Sequence, residues 1–321
     1  MRMLAVLRSG ILSSVQDLGR PNYRSSGVAT GGVLDPLGSI VANRMVRNAD
    51  HAAIIEITMG NSTFRFESAT RFALTGADTD ARLDGERVAP WSSALADAGQ
   101  LLELSVPRSG FRTVLAVNGG IDVPNVLGSR STDLAAAFGG YQGRALKNGD
   151  TIPLGDAANV FGTARFGVKP PQWEFDAHVI GALRGPEYDS FSTEARHALW
   201  HADWIVNSNS NRMGYRLTGP PLERVVQREG MELSHGVVPG VVQVPASGEP
   251  IALLNDAQTT GGYPRIAVVI AADLRKFSDL SLDARLRFRE CTLAEAAEVQ
   301  RNVERYLMDV TGAIESQVKS A

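Results

Sequence analysis

Stretches in which apolar and polar residues alternate fill most of the first half of the chain. Gly, Pro, Asn and Asp separate these stretches, and alternation bounded by turn-forming residues predicts β-strands. The pattern is clearest in "STFRF", "RFALTG", "QLLELSV", "RTVLAVNGG" and "TIPLG". "LDGE", residues 83–86, contains the Asp-Gly pair that favours a two-residue hairpin turn. The first half is therefore predicted to be rich in β-strands.

Three segments have helical features instead. The first covers residues 35–46, with Pro36 in its first turn, and the second covers residues 193–200. The third begins at Thr292, which has the spacing of a capping box with Glu295. It continues as an apolar stripe at helical spacing, formed by Val299, Val303, Leu307, Val310 and Ile314. The chain is predicted to end in a long helix.

The segment "DAANVFGTARFGVKPPQ", residues 156–172, divides the two halves. Its small residues, glycines and Pro-Pro pair lack periodicity, which is typical of a linker. After it, strands are predicted near Tyr215, Val225, Val241, Ile251 and Ile266. The predicted division is an N-terminal β-rich domain over 1–160, a linker over 161–177, a β-barrel domain over 178–291 and a C-terminal helix over 292–321.

Composition and charge narrow the functional classes. Glycine accounts for 32 of 321 residues, above the usual ~7 %, which suits a mostly β fold with many tight turns. A formal charge of −3 gives no electrostatic basis for binding nucleic acid or an anionic membrane. Cys291 is the single cysteine, so no intramolecular disulfide is possible. With no signal peptide or membrane span at the N-terminus, a cytoplasmic protein is expected.

Common catalytic signatures do not occur in the sequence. It has no Gly-x4-Gly-Lys-Ser/Thr loop, no Gly-x-Ser-x-Gly elbow, no His-Glu-x-x-His and no Rossmann glycine triplet. His197 and His201 have the spacing of metal ligands on a helix, but no third ligand accompanies them. Packing is the simpler explanation for this pair, and no metal site is predicted.

One turn carries more polar residues and glycines than a turn requires. "NDAQTTGGYPRIAVVI", residues 255–270, ends in a β-branched strand, and its first part is unusually polar. Glycines allow a backbone to approach a ligand closely, and consecutive amides there can bind an oxyanion. A neighbouring carboxylate could act as a general base or orient one. The residues predicted to bind substrate or phosphate here are Gln258, Thr259, Thr260, Gly261, Gly262 and Tyr263, with Asp256 as the catalytic acid.

Three further clusters combine polar residues with glycines. Two lie in the first half, in "VQDLGRPNYRSSGVATGGVLDP" (15–36) and "NGGIDVPNVLGSRSTDL" (118–134), and one in "NSNRMGYRLTG" (209–219). Ordinary β-turns closed by Asp and Asn side chains are the alternative explanation for each of them. Their predicted substrate- or phosphate-binding residues are Gln16, Asp17, Arg20, Arg130, Ser131, Thr132, Arg212, Tyr215 and Arg216.

Five motifs together resemble a known family in both order and spacing. They are "VQDLGRP", "NGGIDVPNVLGSRSTDL", "SNRMGYRLTG", "SHGVVPGVVQVP" and "NDAQTTGGYPRIA". The chain resembles the KipA family, also called allophanate hydrolase subunit 2 or biotin-dependent carboxyltransferase, from about Val6 to Ala294. Within this family the likeness is greatest to the C subunits of bacterial ATP-dependent 5-oxoprolinases. Departures from the family pattern include Asn22, Asp279 and Asp283, the last of which lies near an expected glycine.

The resemblance implies a fold, a reaction and partners. The fold would consist of tandem cyclophilin-like β-barrel domains, followed by the C-terminal helix. The reaction would be ATP-driven opening of the lactam of 5-oxo-L-proline to L-glutamate, in a complex with the KipI-like B subunit and the A subunit of a 5-oxoprolinase. ATP with Mg would be shared with a partner subunit, and no biotin would be attached to this chain.

The chemistry of a lactam explains why such a site needs arginines. The amide is a poor electrophile, and phosphorylation of its oxygen creates a good leaving group. The site must hold a carboxylate, phosphates and a carbonyl together, which calls for guanidinium groups and backbone amides. Arg20, Arg130, Arg212 and Arg216 are the expected anion holders.

Two other functions are compatible with the same family. One is a biotin-dependent carboxyltransferase component that acts on urea or another small amide, with the biotin carrier on another chain. The other is a KipA-like regulator without enzymatic activity, which binds a KipI-like inhibitor of a histidine kinase. Asp256 near paired glycines is an arrangement that a binding module does not need. The same scaffold could retain it in such a module, so the sequence leaves both functions open.

Overall fold

The computed structural model describes residues 2–157, 165–172, 178–225 and 233–319. The predicted linker, 161–177, lies outside the described residues except for 165–172. The chain divides into two compact units, and neither of them is one continuous stretch. Unit 1 contains Met1–Arg20, Gly31–Gln172 and Glu304–Ala321, and unit 2 contains Pro21–Thr30 and Trp173–Val303.

Unit 1 is built from two six-stranded sheets, one helix of its own and the last part of the C-terminal helix. One sheet has the order β11-β1-β4-β9-β6-β7 and the other the order β12-β8-β5-β10-β3-β2. The described strands and helix are β1 (Met3–Ser9), β2 (Leu12–Gln16), α1 (Pro36–Met45), β3 (Ile54–Thr58), β4 (Ser62–Phe66), β5 (Thr70–Asp78), β6 (Arg82–Leu83), β7 (Glu86–Arg87), β8 (Ser92–Ala96), β9 (Leu101–Leu104), β10 (Ser109–Val117), β11 (Thr151–Pro153) and β12 (Phe166–Gly167).

Alternation in the sequence accounts for the core of unit 1. In β4, Phe64 and Phe66 are fully buried while Arg65 between them is exposed. The ring of Phe66 stacks on that of Phe72, with 5.2 Å between the ring centroids. Aromatic pairs of this kind contribute about 0.5–1.5 kcal/mol beyond the burial of their area.

Local signals set the first helix and the hairpin of unit 1 as predicted. The carboxylate of Asp35 accepts a hydrogen bond from the Gly38 amide (3.0 Å), so α1 begins with an N-cap. Strands β6 and β7 pair across Asp84 and Gly85, which both have positive φ, as a tight hairpin turn requires. Both sequence predictions are confirmed.

Unit 2 contains a closed barrel with the strand order β13-β20-β17-β18-β15-β14-β21. A short ladder, β16-β19, lies outside the barrel. The described elements are 3₁₀ helices at Pro21–Ser26, Tyr188–Ser190 and Ala271–Ser278, with β13 (Val179–Arg184), α2 (Thr193–His201), β14 (Trp204–Val206), β15 (Gly214–Thr218), β16 (His235–Gly236), β17 (Val241–Gln243), β18 (Ile251–Leu253), β19 (Thr260–Gly261), β20 (Arg265–Val269), β21 (Arg285–Glu290) and α3 (Leu293–Lys319).

Two positions in unit 2 differ from the sequence expectations. Val225 lies in a bend and not in the predicted strand. The neighbouring Arg224 forms an isolated bridge with Phe191, and residues 226–232 lie outside the described part. Asp283, near the glycine expected from the family, has φ +63°. Asp tolerates this left-handed conformation better than most residues, so the turn keeps the backbone that a glycine would adopt.

Helix α3 begins in unit 2 and ends in unit 1. Its start has the predicted capping box: Glu295 accepts from the Thr292 amide (2.7 Å), and the Glu295 amide donates to the Thr292 hydroxyl (3.2 Å). Near its end, Val310 and Ile314 are buried. The mostly β fold, the closed barrel and the terminal helix agree with the predicted fold class. Among the described helices, none is long and apolar enough to cross a membrane.

Candidate functional site

In unit 1, a cluster forms around Asp17, at the end of β2. Its Oδ1 accepts hydrogen bonds from the hydroxyls of Ser129 and Ser131, at 2.6 Å each, and its Oδ2 accepts from the Arg130 amide, also at 2.6 Å. The Gly19 amide donates to the same carboxylate at 2.7 Å. Asp17 therefore joins the turn after β2 to the segment 129–131, two regions that belong to separate clusters in the sequence.

Arg20 lies beside this network and is 2 % exposed. Its Nη2 donates to the Ser131 carbonyl, and its guanidinium lies over the ring of Phe138, 4.8 Å from the centroid. Gly139 has φ +67°, and a Cβ there would collide with the Ser131 carbonyl. This close approach requires a glycine. The backbone at Gly139 can therefore pack directly against Arg20 and the Ser131 carbonyl.

The other predicted residues of unit 1 have different surroundings. The Nε2 of Gln16 donates to the Thr132 carbonyl at 3.2 Å, and the Thr132 hydroxyl donates to the Val15 carbonyl at 2.9 Å. Arg130 is partly exposed and forms an ion pair with Asp122 at 3.2 Å. Gln16 and Thr132 hold the strand end in place, whereas the Arg130 side chain reaches the surface.

In unit 2, the polar turn carries a buried ion pair between Arg212 and Asp256. Nε of Arg212 lies 2.8 Å from Oδ2 of Asp256, and Nη2 lies 3.1 Å from Oδ1. The Asp256 amide also donates to the Arg212 carbonyl at 3.1 Å. The two side chains are 4 % and 6 % exposed. This bidentate geometry is the strongest form of such a pair. It fixes the start of the turn, at Asp256, to Arg212 just before β15.

Arg24 holds the same turn from the other side. Its Nη2 donates to the carbonyls of Val237 and, at 3.0 Å, of Gln258. Its Nη1 donates to the Thr30 hydroxyl at 3.2 Å. Burial lowers the pKa of the Arg24 guanidinium from its ordinary value. The Arg24 guanidinium therefore joins segment 21–30 to the residue after β16, Val237, and to Gln258, two residues before β19.

The buried side chain of Gln243 contacts the polar turn at two residues, Tyr263 and Gln258. It is 1 % exposed, and its Nε2 donates to the Tyr263 carbonyl at 3.3 Å. The Nε2 of Gln258 lies 3.5 Å from Oε1 of Gln243. A Cβ on Gly261 would lie 2.8 Å from Nε2 of Gln243, which is tighter than van der Waals contact permits. The glycine therefore allows the turn to pack directly on this amide.

The side chains at the tip of the turn remain accessible. Gln258, Thr260 and Tyr263 are exposed, and Tyr263 has 41 % of its surface exposed. Thr259 uses its carbonyl to accept from the Val237 amide at 3.0 Å, and Gly262 is buried. The turn thus presents an amide, a hydroxyl and a phenol from a backbone held at several points.

A second acid lies near the ladder. Glu187 accepts from the amide, Nε and Nη2 of Arg265, at 2.9, 2.9 and 2.6 Å. Burial alone would raise the pKa of Glu187, but the hydrogen bonds from Arg265 and the nearby charges of Arg265 and His235 bring it below its ordinary value. His235 pairs with Gly261 across the ladder. An ionised Glu187 therefore borders the strand that follows the polar turn.

Tyr215 and Arg216 point to opposite faces of β15, as neighbours in a strand do. Tyr215 is 1 % exposed, donates its hydroxyl to the Leu280 carbonyl at 3.1 Å and meets Phe277 edge-on. Arg216 is exposed and lines a polar cavity of about 420 Å³. Arg212 does not line this cavity. The two arginines of the motif therefore have separate surroundings, and Tyr215 belongs to the barrel core.

A family model, described as carboxyltransferase domain, subdomain A and B, matches residues 26–290. The chain belongs to this carboxyltransferase-domain family. The KipA-family resemblance given by the five motifs is thereby confirmed. The matched residues cover most of unit 2 and much of unit 1, including the polar turn and the segment around Ser131.

Relatives of this carboxyltransferase domain include two bacterial proteins of nearly equal length. The chain is 46 % identical to the C subunit of 5-oxoprolinase from Escherichia coli (strain K12), over 95 % of this chain and 96 % of the relative. It is 36 % identical to the C subunit of 5-oxoprolinase from Haemophilus influenzae, over 98 % and 100 %. The likeness to these subunits expected from the motifs is therefore confirmed.

A solved structure shares the architecture. The crystal structure of Kluyveromyces lactis urea carboxylase superposes with a TM-score of 0.88 at 28 % identity. The superposition covers 96 % of this chain but 29 % of that one. The carboxyltransferase domain thus corresponds to less than a third of a much longer protein.

Sequence reasoning missed three residues that shape the site in the carboxyltransferase domain. Arg24 and Gln243 lie inside two of the quoted motifs, "VQDLGRPNYRSSGVATGGVLDP" and "SHGVVPGVVQVP", but nothing in their local pattern distinguishes them. Glu187 lies in "LRGPEYDS" and has no motif. Glu187 contacts Arg265, 78 residues away, and Arg24 contacts Gln258, 234 residues away, so only the fold reveals these two. The contacts of Gln243 with Gln258 and Tyr263 span 15 and 20 residues, but no local pattern marks them.

Proposed function

We propose that the chain is the C subunit of an ATP-dependent 5-oxoprolinase complex, which cleaves 5-oxo-L-proline to L-glutamate with ATP hydrolysis. One observation carries the proposal: 46 % identity to the C subunit of E. coli 5-oxoprolinase, over 95 % of this chain and 96 % of that relative. Alignment over nearly the full length of both proteins favours the same role in both, because a single domain shared by otherwise different proteins would align over only part of one of them. The proposed partners are the KipI-like B subunit and the A subunit of the complex.

In this proposal, the polar turn of unit 2 contacts the substrate. Gln258, Thr260 and Tyr263 offer exposed hydrogen-bonding groups for the lactam and its carboxylate. Arg24 and Gln243 hold the backbone of the turn, and preorganised polar groups contribute more than mobile ones to stabilising developing charge. Asp256 remains the proposed acid closest to the chemistry, and its two hydrogen bonds with Arg212 fix the orientation of its carboxylate.

The described part of the chain does not supply a metal site for the nucleotide. Across those residues, no three or more His, Cys, Asp or Glu side chains are grouped so that they could hold a metal ion. Ligands for Mg²⁺ are mainly carboxylates, waters and the phosphates themselves. We propose that ATP with Mg²⁺ is shared with a partner subunit, which would supply the carboxylate ligands of the metal.

A second candidate is a biotin-dependent carboxyltransferase component that acts on urea. The observation in its favour is the TM-score of 0.88 with K. lactis urea carboxylase. Both candidates place a small amide at the site, so they differ in the co-substrate: ATP for the first and carboxybiotin on another chain for the second.

The test is reconstitution of the chain with its two partner subunits. ATP hydrolysis and L-glutamate formation from 5-oxo-L-proline are measured for the wild type, for Asp256→Asn and for Asp309→Asn, a change on an exposed position of α3. We expect turnover that needs all three chains, falls at least about a hundredfold in Asp256→Asn and is unchanged in Asp309→Asn.

A folded complex that hydrolyses no ATP with 5-oxo-L-proline would contradict the proposal. Carboxylation of urea by the same chain, given a biotin carrier loaded by a biotin carboxylase, would then establish the second candidate. Retained activity in Asp256→Asn would leave the complex in place and remove Asp256 from the chemistry.

A further inference from the structure

The cavity beside Arg216 has a distribution of charge that the proposed reaction does not use. It lies on the outer face of the barrel of unit 2 and has a volume of about 420 Å³, which is in the range of small-molecule sites. Pro245 and Ile251 supply its apolar part. Its polar lining consists of Asn207, Asn209, Asn211, Arg216, Ser247 and Glu249.

Arg216 and Glu249 line this cavity from two neighbouring segments of the chain. Arg216 pairs with Ile251 of β18, and the Leu217 amide donates to the Pro250 carbonyl at 2.9 Å. Glu249 directly precedes Pro250, just before β18 begins at Ile251. The pairing of β15 with this segment therefore brings a guanidinium and a carboxylate to the same cavity.

Neither charge is neutralised within the described part of the chain. Neither the guanidinium of Arg216 nor the carboxylate of Glu249 forms an ion pair with a described residue. A guanidinium and a carboxylate that face one cavity and do not pair with each other can both bind a ligand of two opposite charges. This is the feature that sets the cavity apart from an ordinary polar surface.

The asparagine side of the cavity is held in shape by its own turn. Oδ1 of Asn207 accepts from the Asn209 amide at 2.9 Å, and Oδ1 of Asn211 accepts from the Met213 amide at 2.8 Å. The Ser210 hydroxyl accepts from the Arg216 amide at 3.1 Å, which fixes the turn beside the arginine. Because Oδ1 of Asn211 accepts from the Met213 amide, Nδ2 is the donor that this lining residue can offer to a ligand.

We propose that this cavity binds a free α-amino acid in its zwitterionic form. The carboxylate of the ligand contacts Arg216 and the amide donors of the asparagine turn. Its ammonium group contacts the carboxylate of Glu249 and the hydroxyl of Ser247. The half of the cavity that donates hydrogen bonds and the half that accepts them thus match the two ends of the ligand.

The same geometry excludes cyclic amides. In 5-oxo-L-proline the nitrogen is part of a neutral lactam, so it offers no charge to Glu249 and leaves that carboxylate without compensation. A site built around a charged group discriminates strongly against a ligand that lacks the complementary charge. The inference does not rest on the proposed reaction, because it concerns binding by this chain alone.

Isothermal titration calorimetry on the full chain tests the proposal, with glycine and L-alanine as zwitterions and acetate and propionate as the matched ligands without an ammonium group. None of the four is the proposed substrate or product of the polar turn. We expect millimolar binding of both zwitterions and at least about tenfold weaker binding of the other two. Arg216→Gln and Glu249→Gln should each weaken glycine binding at least about tenfold. Arg301→Gln and Glu298→Gln, at exposed positions of α3, should leave it unchanged.

Three outcomes would overturn the inference. The first is no heat of binding for any amino acid at millimolar concentration in a folded protein. The second is equal affinity for glycine and acetate, which would identify a carboxylate site without an ammonium subsite. The third is binding that survives both Arg216→Gln and Glu249→Gln, which would place the amino acid elsewhere. Circular dichroism of each variant establishes that it is folded.

Discussion

Two buried ion pairs in unit 2 have different tasks. Arg212 and Asp256 fix the start of the polar turn. Lys276 and Asp273 fix the 3₁₀ helix at Ala271–Ser278 to β13, since Lys276 donates to the Val179 carbonyl at 2.7 Å and Asp273 accepts from the Gly181 amide at 2.7 Å. Burial makes such pairs sensitive to the loss of one member, because the remaining charge keeps its desolvation cost without its partner.

Removal of the Asp256 carboxylate should therefore be costly for folding as well as for activity. We expect Asp256→Ala to lower the free energy of unfolding by about 3–5 kcal/mol, because Arg212 stays buried without this partner. Urea denaturation measures the change. Asp189→Ala is the control: Asp189 pairs with Arg196 but is 90 % exposed, so the midpoint should not move. An Asp256→Ala midpoint equal to that of the wild type would contradict the assignment of a buried, stabilising pair.

Glycines and charged residues differ in how well the sequence reveals their tasks. Asp84 and Gly85 are recognisable as a hairpin turn because the turn chemistry is local. The acceptor role of Asp17 is not recognisable in this way, because its donors at Ser129 and Ser131 are 112 and 114 residues away. Arg212 was predicted to bind an anion, and the anion that the structure gives it is Asp256 of the same chain. The local sequence pattern shows that a polar residue is unusual for its position, but it does not show which residue the side chain contacts.

At the scale of elements, the capping box of α3 makes a prediction about pH. Hydrogen bonds from the Thr292 amide and hydroxyl, followed by one from Arg289, lower the pKa of Glu295 from 4.5 to about 2. Because the folded pKa is the lower one, the stabilisation is present above pH 4.5 and is lost as the pH falls toward 2. A ¹³C NMR titration of the Glu295 carboxyl group should give a midpoint near 2.

Thr292→Val provides the comparison for Glu295, because it removes the hydroxyl and keeps the amide and the shape of the side chain. We expect the Glu295 midpoint to rise in this variant without returning to the ordinary value, since the Thr292 amide and Arg289 still donate. A wild-type midpoint near 4.5 would show that the capping box does not form in solution.

The hydrogen bonds of Arg24 are predicted to slow local opening of the polar turn, and amide exchange tests this. Arg24→Met removes the donors to Val237 and Gln258, so amide exchange at Val237, which donates to the Thr259 carbonyl, should accelerate about tenfold. Hydrogen–deuterium exchange with peptide resolution measures this, and Arg301→Met controls for loss of a surface arginine. Unchanged exchange at Val237 in Arg24→Met would mean that the ladder holds the turn without Arg24.

At the scale of the whole molecule, residues far apart in sequence complete unit 1. Nη1 of Arg44, on α1, donates to the Leu307 carbonyl at 2.9 Å and to the Thr311 hydroxyl at 2.8 Å. The apolar side of the same helix segment buries Val310 and Ile314. Val310 and Ile314 of α3 are therefore buried in unit 1, and the neighbouring Leu307 contacts Arg44 across 263 residues of sequence.

Truncation of that apolar side should destabilise the protein. We expect Ile314→Ala to lower the free energy of unfolding by about 2 kcal/mol, the lower limit for a buried Ile→Ala change, since it lies near the end of a helix. Met308→Ala, at a position 67 % exposed on the same helix, should have little effect. Thermal unfolding monitored by circular dichroism compares the two. Equal losses for both variants would contradict the packing of this face.

The fold was more predictable than the arrangement of the candidate site. Helix α1, the hairpin after β6 and the capping box each depend on a few neighbouring residues, and the sequence contains those residues together. Barrel closure depends on pairing between distant strands, such as Val179 of β13 with Arg287 of β21, and only the family resemblance indicated it. For the same reason Arg24 escaped notice, since its partners lie more than 200 residues away.

The division into two units has a consequence for inheritance. The chain crosses between units after Arg20, Thr30, Gln172 and Val303. A single genetic crossover between residues 21 and 303 would therefore leave each unit as a mixture of two parents, with strands and core residues that did not evolve together. Selection would favour transfer of the whole block, and 96 % of this chain does align within 29 % of K. lactis urea carboxylase. The interleaved path thus makes two units into one heritable module.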